Sequence, residues 1–266
     1  MADDSILILG CGNMGGAMLA GWLAAGLDPA RFTVVDPFLT AAPVGVRLLR
    51  TVPAEQFCVV LLGVKPQTLD EAGAALAPAI TTQTVLLSIL AGVELASIAA
   101  RLPGARAMVR VMPNLAAAIG KSPIGLYAAG LDLAGRTQVE HLLAPLGHLE
   151  WLEHESQLDA VTALAGSGPA FVYRFVEALA AGGAQLGLDP AQAQRLALAM
   201  VEGAAALAAS SAEAPAELAR RVTSPGGTTA AGLAVLDDEA ALAQLIAATL
   251  RAARDRGAQL AEAARS

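Results

Sequence analysis

Two loops have residue types and spacings suited to chemistry. In "ILILGCGNMGGA", Gly10, Gly12 and Gly15 form G-x-G-x-x-G between a β-type apolar run and a helical one. Gly10 permits a tight turn, Gly12 lets backbone approach a pyrophosphate, and Gly15 allows close helix–strand packing. The helix start adds free N–H groups and the positive end of a dipole. In "RRVTSPGGTTAAGL", Arg220 to Leu233, two glycines sit between hydroxyl residues, with no lysine, histidine or carboxylate among Thr223–Leu233. Pro225-Gly226-Gly227 makes a turn, and Thr228 or Thr229 is placed to cap the helix that follows. Successive amides at such a start suit a small carboxylate. Taken alone, this loop reads first as a plain helix cap and second as an anion site.

Other residues fall where the strands of an open α/β sheet end, which is where ligands bind. Asp36 closes "TVVDP", the second strand; an acid there bonds a ribose 2′-hydroxyl and repels a 2′-phosphate, which favours NADH over NADPH. A solvated strand-end carboxylate is the plainer reading. Lys65, one of only two lysines with Lys121, lies in "GVKP", and Asn114 in "RVMPN". Lys65 either faces the cofactor or holds its ammonium in water. Cys11 reads as a small filler without a redox role.

The elements that must position these residues follow from periodicity. Apolar runs at 6–9, 32–36, 57–64, 84–90 and 105–113 predict strands, with weaker ones in "SPIGLYAA" and "GHLEWLE". Helical stretches separate most of them, as in a parallel, doubly wound sheet of Rossmann type. After about Gln157 only helical period remains, so the fold class is α/β followed by an all-α domain: residues 1–156 for dinucleotide binding, residues 157–266 for substrate binding and dimerisation. Asp189 is the expected N-cap of the helix starting at Pro190. A single long helix is predicted from Leu158 to Leu188, interrupted by Gly166, Gly168 and Pro169. The wide apolar faces of the helical half predict that it completes its core against a second copy.

Composition narrows the partners. The 266 residues are 55% hydrophobic and 15% charged, with net charge -7. A large core is affordable, and nucleic acid, which needs clustered Lys and Arg, is disfavoured. Aromatics make up only 3%. Two cysteines without CxxC predict reduced thiols and no metal site. The acidic start "MADDSILILG" lacks the basic region of a signal peptide, and no unbroken apolar span of membrane length occurs, so a cytoplasmic location is expected.

Read together and in order, "GCGNMG", "VKP", "RVMPN", "DAVTALAGSGPAFVYRFVEAL" and "VTSPGGTTAAGL" resemble the pyrroline-5-carboxylate reductase family, from about residue 5 to 260. The resemblance implies a reductase that delivers hydride from NADPH or NADH to the C=N carbon of a cyclic imino acid, giving L-proline in the last step of its biosynthesis. It implies a substrate loop of Ser224, Gly226, Gly227, Thr228 and Thr229, with Thr229 near the ring nitrogen and Ser224 and Thr229 as the catalytic hydroxyls. It carries the nucleotide site onto Gly10, Cys11, Gly12, Asn13, Met14 and Gly15, onto Gly63, Val64, Lys65 and Pro66, and onto Ile89, Leu90 and Ala91, beside Asp36 and Asn114. It implies a homodimer through the C-terminal helices, assembled further into rings in some relatives. Ala165 stands where the family usually has serine, Asp36 where many relatives have small or basic residues, and the stretch from Asp36 to Phe57, Arg50 included, matches weakly.

The chemistry agrees with the residues. Carbonyl reduction needs a proton donor beside oxygen, whereas a protonated imine already carries the charge that attracts hydride. A site for it must hold the iminium at near-attack distance, which hydroxyls and backbone dipoles can do. The β-hydroxyacid dehydrogenases, similar in fold, use a lysine on the long interdomain helix; here Leu158–Leu188 has none, and His154 is the histidine nearest the domain junction. Reduction of another cyclic imino acid, a β-hydroxyacid-dehydrogenase-like activity and a non-catalytic nicotinamide sensor are the alternatives.

Overall fold

The computed structural model describes residues 5–265; the stretch 1–4, with its two aspartates, and residue 266 lie outside the described residues. The chain forms two compact units, one of residues up to Gly166 together with those from Ala253 onward, the other Ser167–Ala252.

The first unit is built on an eight-stranded sheet of order β3-β2-β1-β4-β5-β6-β7-β8. Its strands are β1 (Ile6–Leu9), β2 (Phe32–Val35), β3 (Arg47–Leu49), β4 (Val59–Leu62), β5 (Val85–Ser88), β6 (Ala107–Met112), β7 (Ser122–Ala128) and β8 (Gly147–Trp151). Helices α1 (Asn13–Ala24), α2 (Leu69–Leu76), α3 (Leu95–Arg101) and α4 (Leu133–Leu143) cover it, and α5 (Gln157–Val161) closes the unit. All pairings are parallel except β6–β7, where Val111 opposes Leu126. The link between those strands, residues 113–121, holds only a short 3₁₀ turn, too little chain for the crossover that a parallel return requires.

Alternation along the strands explains the two cores. Ile6, Ile8, Val34, Leu61 and Leu87 point to the face covered by Met18, Leu19 and Trp22 of α1. Leu7, Leu9, Val60, Leu62 and Leu86 point to the other, under Leu69 and Leu76 of α2 and Ile98 of α3. Strands covered on both sides need no polar face, which is why β4 reads as an unbroken apolar run and β5 as one ending in the buried Ser88. Trp22 stacks on Phe32 at 5.6 Å between centroids, and its indole N–H donates to the Leu142 carbonyl at 2.7 Å. An aromatic this large is buried at low cost because its one polar atom is satisfied.

The second unit is helical: α6 (Gly168–Gln185), α7 (Pro190–Ser210), α8 (Pro215–Arg221), α9 (Thr228–Asp237) and the first part of α10 (Ala241–Arg265). Asp189 caps α7, its carboxylate accepting from the amides of Ala191 and Gln192. Between α9 and α10 the chain kinks, with Glu239 and Ala240 in the left-handed region. The predicted long helix from Leu158 is divided: α5 passes into a π-helical turn, Thr162–Gly166, and α6 starts afresh at Gly168. Pro169 has no N–H to donate and is tolerated only in a first helical turn, so the break falls just before it. Within this unit only Ala193 and Ala197 are buried apolar residues, while Tyr173, Leu196, Leu198, Leu207, Val235 and Leu245 are exposed. Among the described residues no single helix is long and apolar enough to cross a membrane.

Candidate functional site

The ends of five strands bring most of the predicted nucleotide residues together along one edge of the first unit. Gly10 follows β1, Asp36 β2, Gly63 β4 and Ile89 β5, and Asn114 lies two residues past β6. Backbone bonds continue the sheet into the loops: Gly10 N–H donates to the Val35 carbonyl, Gly63 N–H to Leu9 and Ile89 N–H to Leu62. Gly10 has φ +86°, and a β-carbon there would lie 2.7 Å from the Gly63 carbonyl oxygen. A β-carbon on Gly15 would lie 2.5 Å from the Gly10 carbonyl oxygen, so α1 packs directly against the loop.

Gly12 has open space where a side chain would be. It is the N-cap of α1, without a side-chain hydrogen bond to the helix and without an acidic residue in the first turn. The exposed start Gly12–Asn13 therefore presents unsatisfied N–H groups to solvent, next to Met14, and this is the arrangement a pyrophosphate needs.

Asp36 is tied to this loop. Its Oδ2 accepts from Cys11 N–H at 2.9 Å, and its Oδ1 accepts from the amides of Phe38 at 2.8 Å and Leu39 at 3.1 Å. At 8% exposure it is a built-in part of the fold, not a free strand-end acid. Arg50, at the end of β3, grips the same segment from the other side: Nη1 donates to the carbonyls of Asp36, Pro37 and Leu39 at 3.1, 3.0 and 2.7 Å. Burial, and secondarily the Asp36 carboxylate, push the Cys11 thiol up to about 11, which matches an inert filler.

The remaining predicted residues divide. Lys65 is exposed beyond β4, and its carbonyl accepts from Thr68; Val64 and Pro66 flank it. Leu90 is buried and Ala91 exposed in the turn after β5. Asn114 is buried with its groups engaged: its N–H donates to Ser122 Oγ, its Oδ1 accepts from Ala116, and its Nδ2 donates to the Ala165 carbonyl in the π-helical turn. His154 is exposed, its amide donating to Gln157 Oε1.

Sequence reasoning missed an ion pair between a buried arginine and a partly buried glutamate. Arg110 on β6 donates through Nη1 to Glu155 Oε1 at 3.0 Å, and the same oxygen accepts from Leu95 N–H at 2.7 Å. The pair ties β6 and the start of α3 to the turn before α5. The only trace in sequence is an arginine inside an apolar strand.

In the second unit, Ser224, Gly226 and Gly227 lie in the turn between α8 and α9, and Thr228 and Thr229 open α9. Gly226 has φ +70°, and Gly227 leaves room only for the Ser224 hydroxyl, which a β-carbon there would meet. The cap of α9 is Gly227, not a threonine, and no side chain bonds the helix start. Ser224, Thr228 and Thr229 are exposed. Hydroxyls and free first-turn amides stand side by side, a surface for a carboxylate and a polar ring atom.

An open sheet with a glycine-rich loop at its carboxyl edge, joined to a helical unit, defines an NAD(P)-dependent oxidoreductase of Rossmann type. The model for pyrroline-5-carboxylate reductase dimerisation matches residues 155–260, and that for NADP oxidoreductase, coenzyme F420-dependent, matches residues 5–92. The chain is 39% identical to the pyrroline-5-carboxylate reductase of Pseudomonas aeruginosa over 98% of both chains. Its structure is similar to that of a pyrroline-5-carboxylate reductase from Coxiella burnetii, with TM-score 0.88, 30% identity and coverage of 97% of this chain and 98% of that one. It also shares the fold of the Plasmodium falciparum enzyme solved with NADP bound, with TM-score 0.82, 23% identity and coverage of 98% and 99%. The chain belongs to the pyrroline-5-carboxylate reductase family.

Proposed function

We infer that this protein reduces the C=N bond of L-1-pyrroline-5-carboxylate to L-proline, the last step of proline biosynthesis, with a nicotinamide dinucleotide as electron donor. The observation that carries the reading is the match of the whole chain, at 39% identity, to an enzyme of that name. The dinucleotide, when bound, supplies hydride to the imine carbon. Gly10, Cys11, Gly12, Asn13, Met14 and Gly15 hold its pyrophosphate, with Gly63, Val64, Lys65, Pro66, Ile89, Leu90, Ala91 and Asn114 along the same edge. Ser224, Gly226, Gly227, Thr228 and Thr229 hold the imino acid: the first-turn amides of α9 take its carboxylate, and the Thr229 and Ser224 hydroxyls bond the ring nitrogen. A cationic C=N needs orientation more than an added acid, which fits a loop of hydroxyls and amides. That Leu158–Leu188 has no lysine separates this chemistry from carbonyl reduction.

NADH is the preferred donor in this reading, because an acidic residue ending β2 repels a ribose 2′-phosphate and Asp36 holds that position in sequence. Residues 1–156 serve the cofactor and residues 157–266 the substrate and dimerisation. The exposed apolar helices of the second unit support a homodimer through that domain, with rings of dimers as a further assembly. The enzyme works in the cytoplasm.

The test is the rate of NADH and NADPH oxidation with and without L-1-pyrroline-5-carboxylate. Imine-dependent oxidation, faster with NADH, is the expected result. No turnover from protein that binds the dinucleotide refutes the activity; turnover only with a six-membered cyclic imine moves the substrate class.

A further inference from the structure

The turn after β2 combines a fixed backbone with a bare aromatic ring. Asp36 holds it from within, accepting from the amides of Phe38 and Leu39, while Arg50 holds it from the β3 side through three carbonyls. Five hydrogen bonds on four residues leave the backbone little freedom. Yet Phe38, in the middle, is 90% exposed. Single exposed apolar side chains are ordinary on protein surfaces. What sets Phe38 apart is its place. Its neighbour Leu39 packs against the core, and Asp36, two residues before it, is bonded directly to the glycine loop through Cys11 N–H.

We propose that Phe38 is the stacking platform for the adenine ring of the dinucleotide and sets much of the affinity for it. The proposal rests on the nucleotide reading of the glycine loop. In a doubly wound fold the acid ending β2 marks the adenosine ribose, so an aromatic ring two residues beyond it lies within reach of the base attached to that ribose. Every base offers a π face, so a flat ring held on a rigid turn gains contact area without ordering a loop on binding. The clamp by Arg50 then has a purpose: it fixes the platform before the ligand arrives. The platform acts on the base and is indifferent to the 2′-position, which remains with Asp36.

The test is calorimetric titration of the full-length protein with ADP-ribose, which carries the adenosine and no nicotinamide. Phe38→Ala is expected to weaken ADP-ribose binding by about tenfold or more, the scale of losing one base–aromatic stack, and Phe38→Trp to restore it. Because the side chain is exposed, melting of both variants should match the parent. In steady state Phe38→Ala should raise the KM for NADH and leave kcat at saturating cofactor unchanged. Unchanged ADP-ribose affinity in Phe38→Ala overturns the proposal, as does failure of the parent to bind ADP-ribose. Binding that is lost in Phe38→Ala but absent imine turnover would sustain the platform and refute only the assigned reaction.

Discussion

Replacing Asp36 by asparagine separates its two proposed roles. The carboxylate accepts three backbone N–H groups, at 2.8 to 3.1 Å. An asparagine oxygen can keep Phe38 and Leu39, but its NH₂ then faces the Cys11 N–H, donor against donor. Hydrogen bonds to a charged group contribute about 1.5–3 kcal/mol, and a buried donor left unmade costs about 1–3 kcal/mol, so the variant should lose roughly 2–4 kcal/mol of stability. Cofactor choice moves for a different reason. Two unit charges about 5 Å apart repel by about 3 kcal/mol at an effective dielectric near 20, and the three N–H dipoles on Asp36 cancel part of that. About 1–2 kcal/mol should remain, so the ratio of kcat/KM for NADPH to that for NADH should rise roughly tenfold. Because both cofactors are measured on the same folded population, lost stability cancels from the ratio. An unchanged ratio in Asp36→Asn would refute the claim that the carboxylate disfavours a 2′-phosphate, and would leave it only as a tether for the glycine loop.

Gly10→Ala should abolish dinucleotide binding and lower the melting temperature, since its φ of +86° and the 2.7 Å approach to the Gly63 carbonyl both exclude a side chain; retained ADP-ribose affinity would contradict this. With the Cys11 thiol raised to about 11, the unfolded chain releases this proton before the folded one, so stability is retained below the ordinary thiol range and falls between about pH 9 and 11. Cys11→Ala should flatten that alkaline decline, by at most about 2 kcal/mol after allowance for solvent screening at the loop rim, as read from denaturation midpoints across the range. Glu155→Gln weakens the bond to buried Arg110 and the anchor of Leu95, and should cost about 2 kcal/mol or more, with Arg110→Met plus Glu155→Leu less damaging than either change alone. Thr229→Ala should lower kcat/KM for the imine about tenfold while leaving ADP-ribose affinity intact, whereas Thr229→Ser should retain most of the rate.

The parts legible in the sequence are those where one residue type has few structural uses. Three glycines at the end of an apolar run marked the nucleotide loop, and the absence of strand pattern after residue 154 marked the helical half. Strand β3 was not legible because Arg47–Leu49 is short, lies at the sheet edge and is only partly buried, so it has no apolar run to read. The break before α6 was signalled by Gly166, Gly168 and Pro169, but the π-helical turn there carries a tertiary bond, from Asn114 Nδ2 to the Ala165 carbonyl, that no local pattern encodes. The same holds for the Arg50 clamp: an arginine just after a three-residue strand reads as a surface charge until the folded turn places three carbonyls around it. The cap of α9 went to Gly227 because the turn already puts its backbone in the extended cap conformation, leaving the threonines inside the first turn. Function was legible through the order of several motifs, which records ancestry more than local physics.

The contact between Gly10, Gly15 and Gly63 also bears on how this chain can change over generations. A β-carbon on Gly10 meets the Gly63 carbonyl, one on Gly63 meets the Gly10 carbonyl at 2.7 Å, and one on Gly15 meets that same Gly10 carbonyl. Each obstacle is main chain, so no shrinking of a neighbouring side chain can make room. Compensating pairs, the usual route by which lineages drift through sequence space, are closed at these three sites. Descendants of this protein can rewrite the cores on both faces of the sheet and still keep the same three glycines, or else they must give up the loop as a whole.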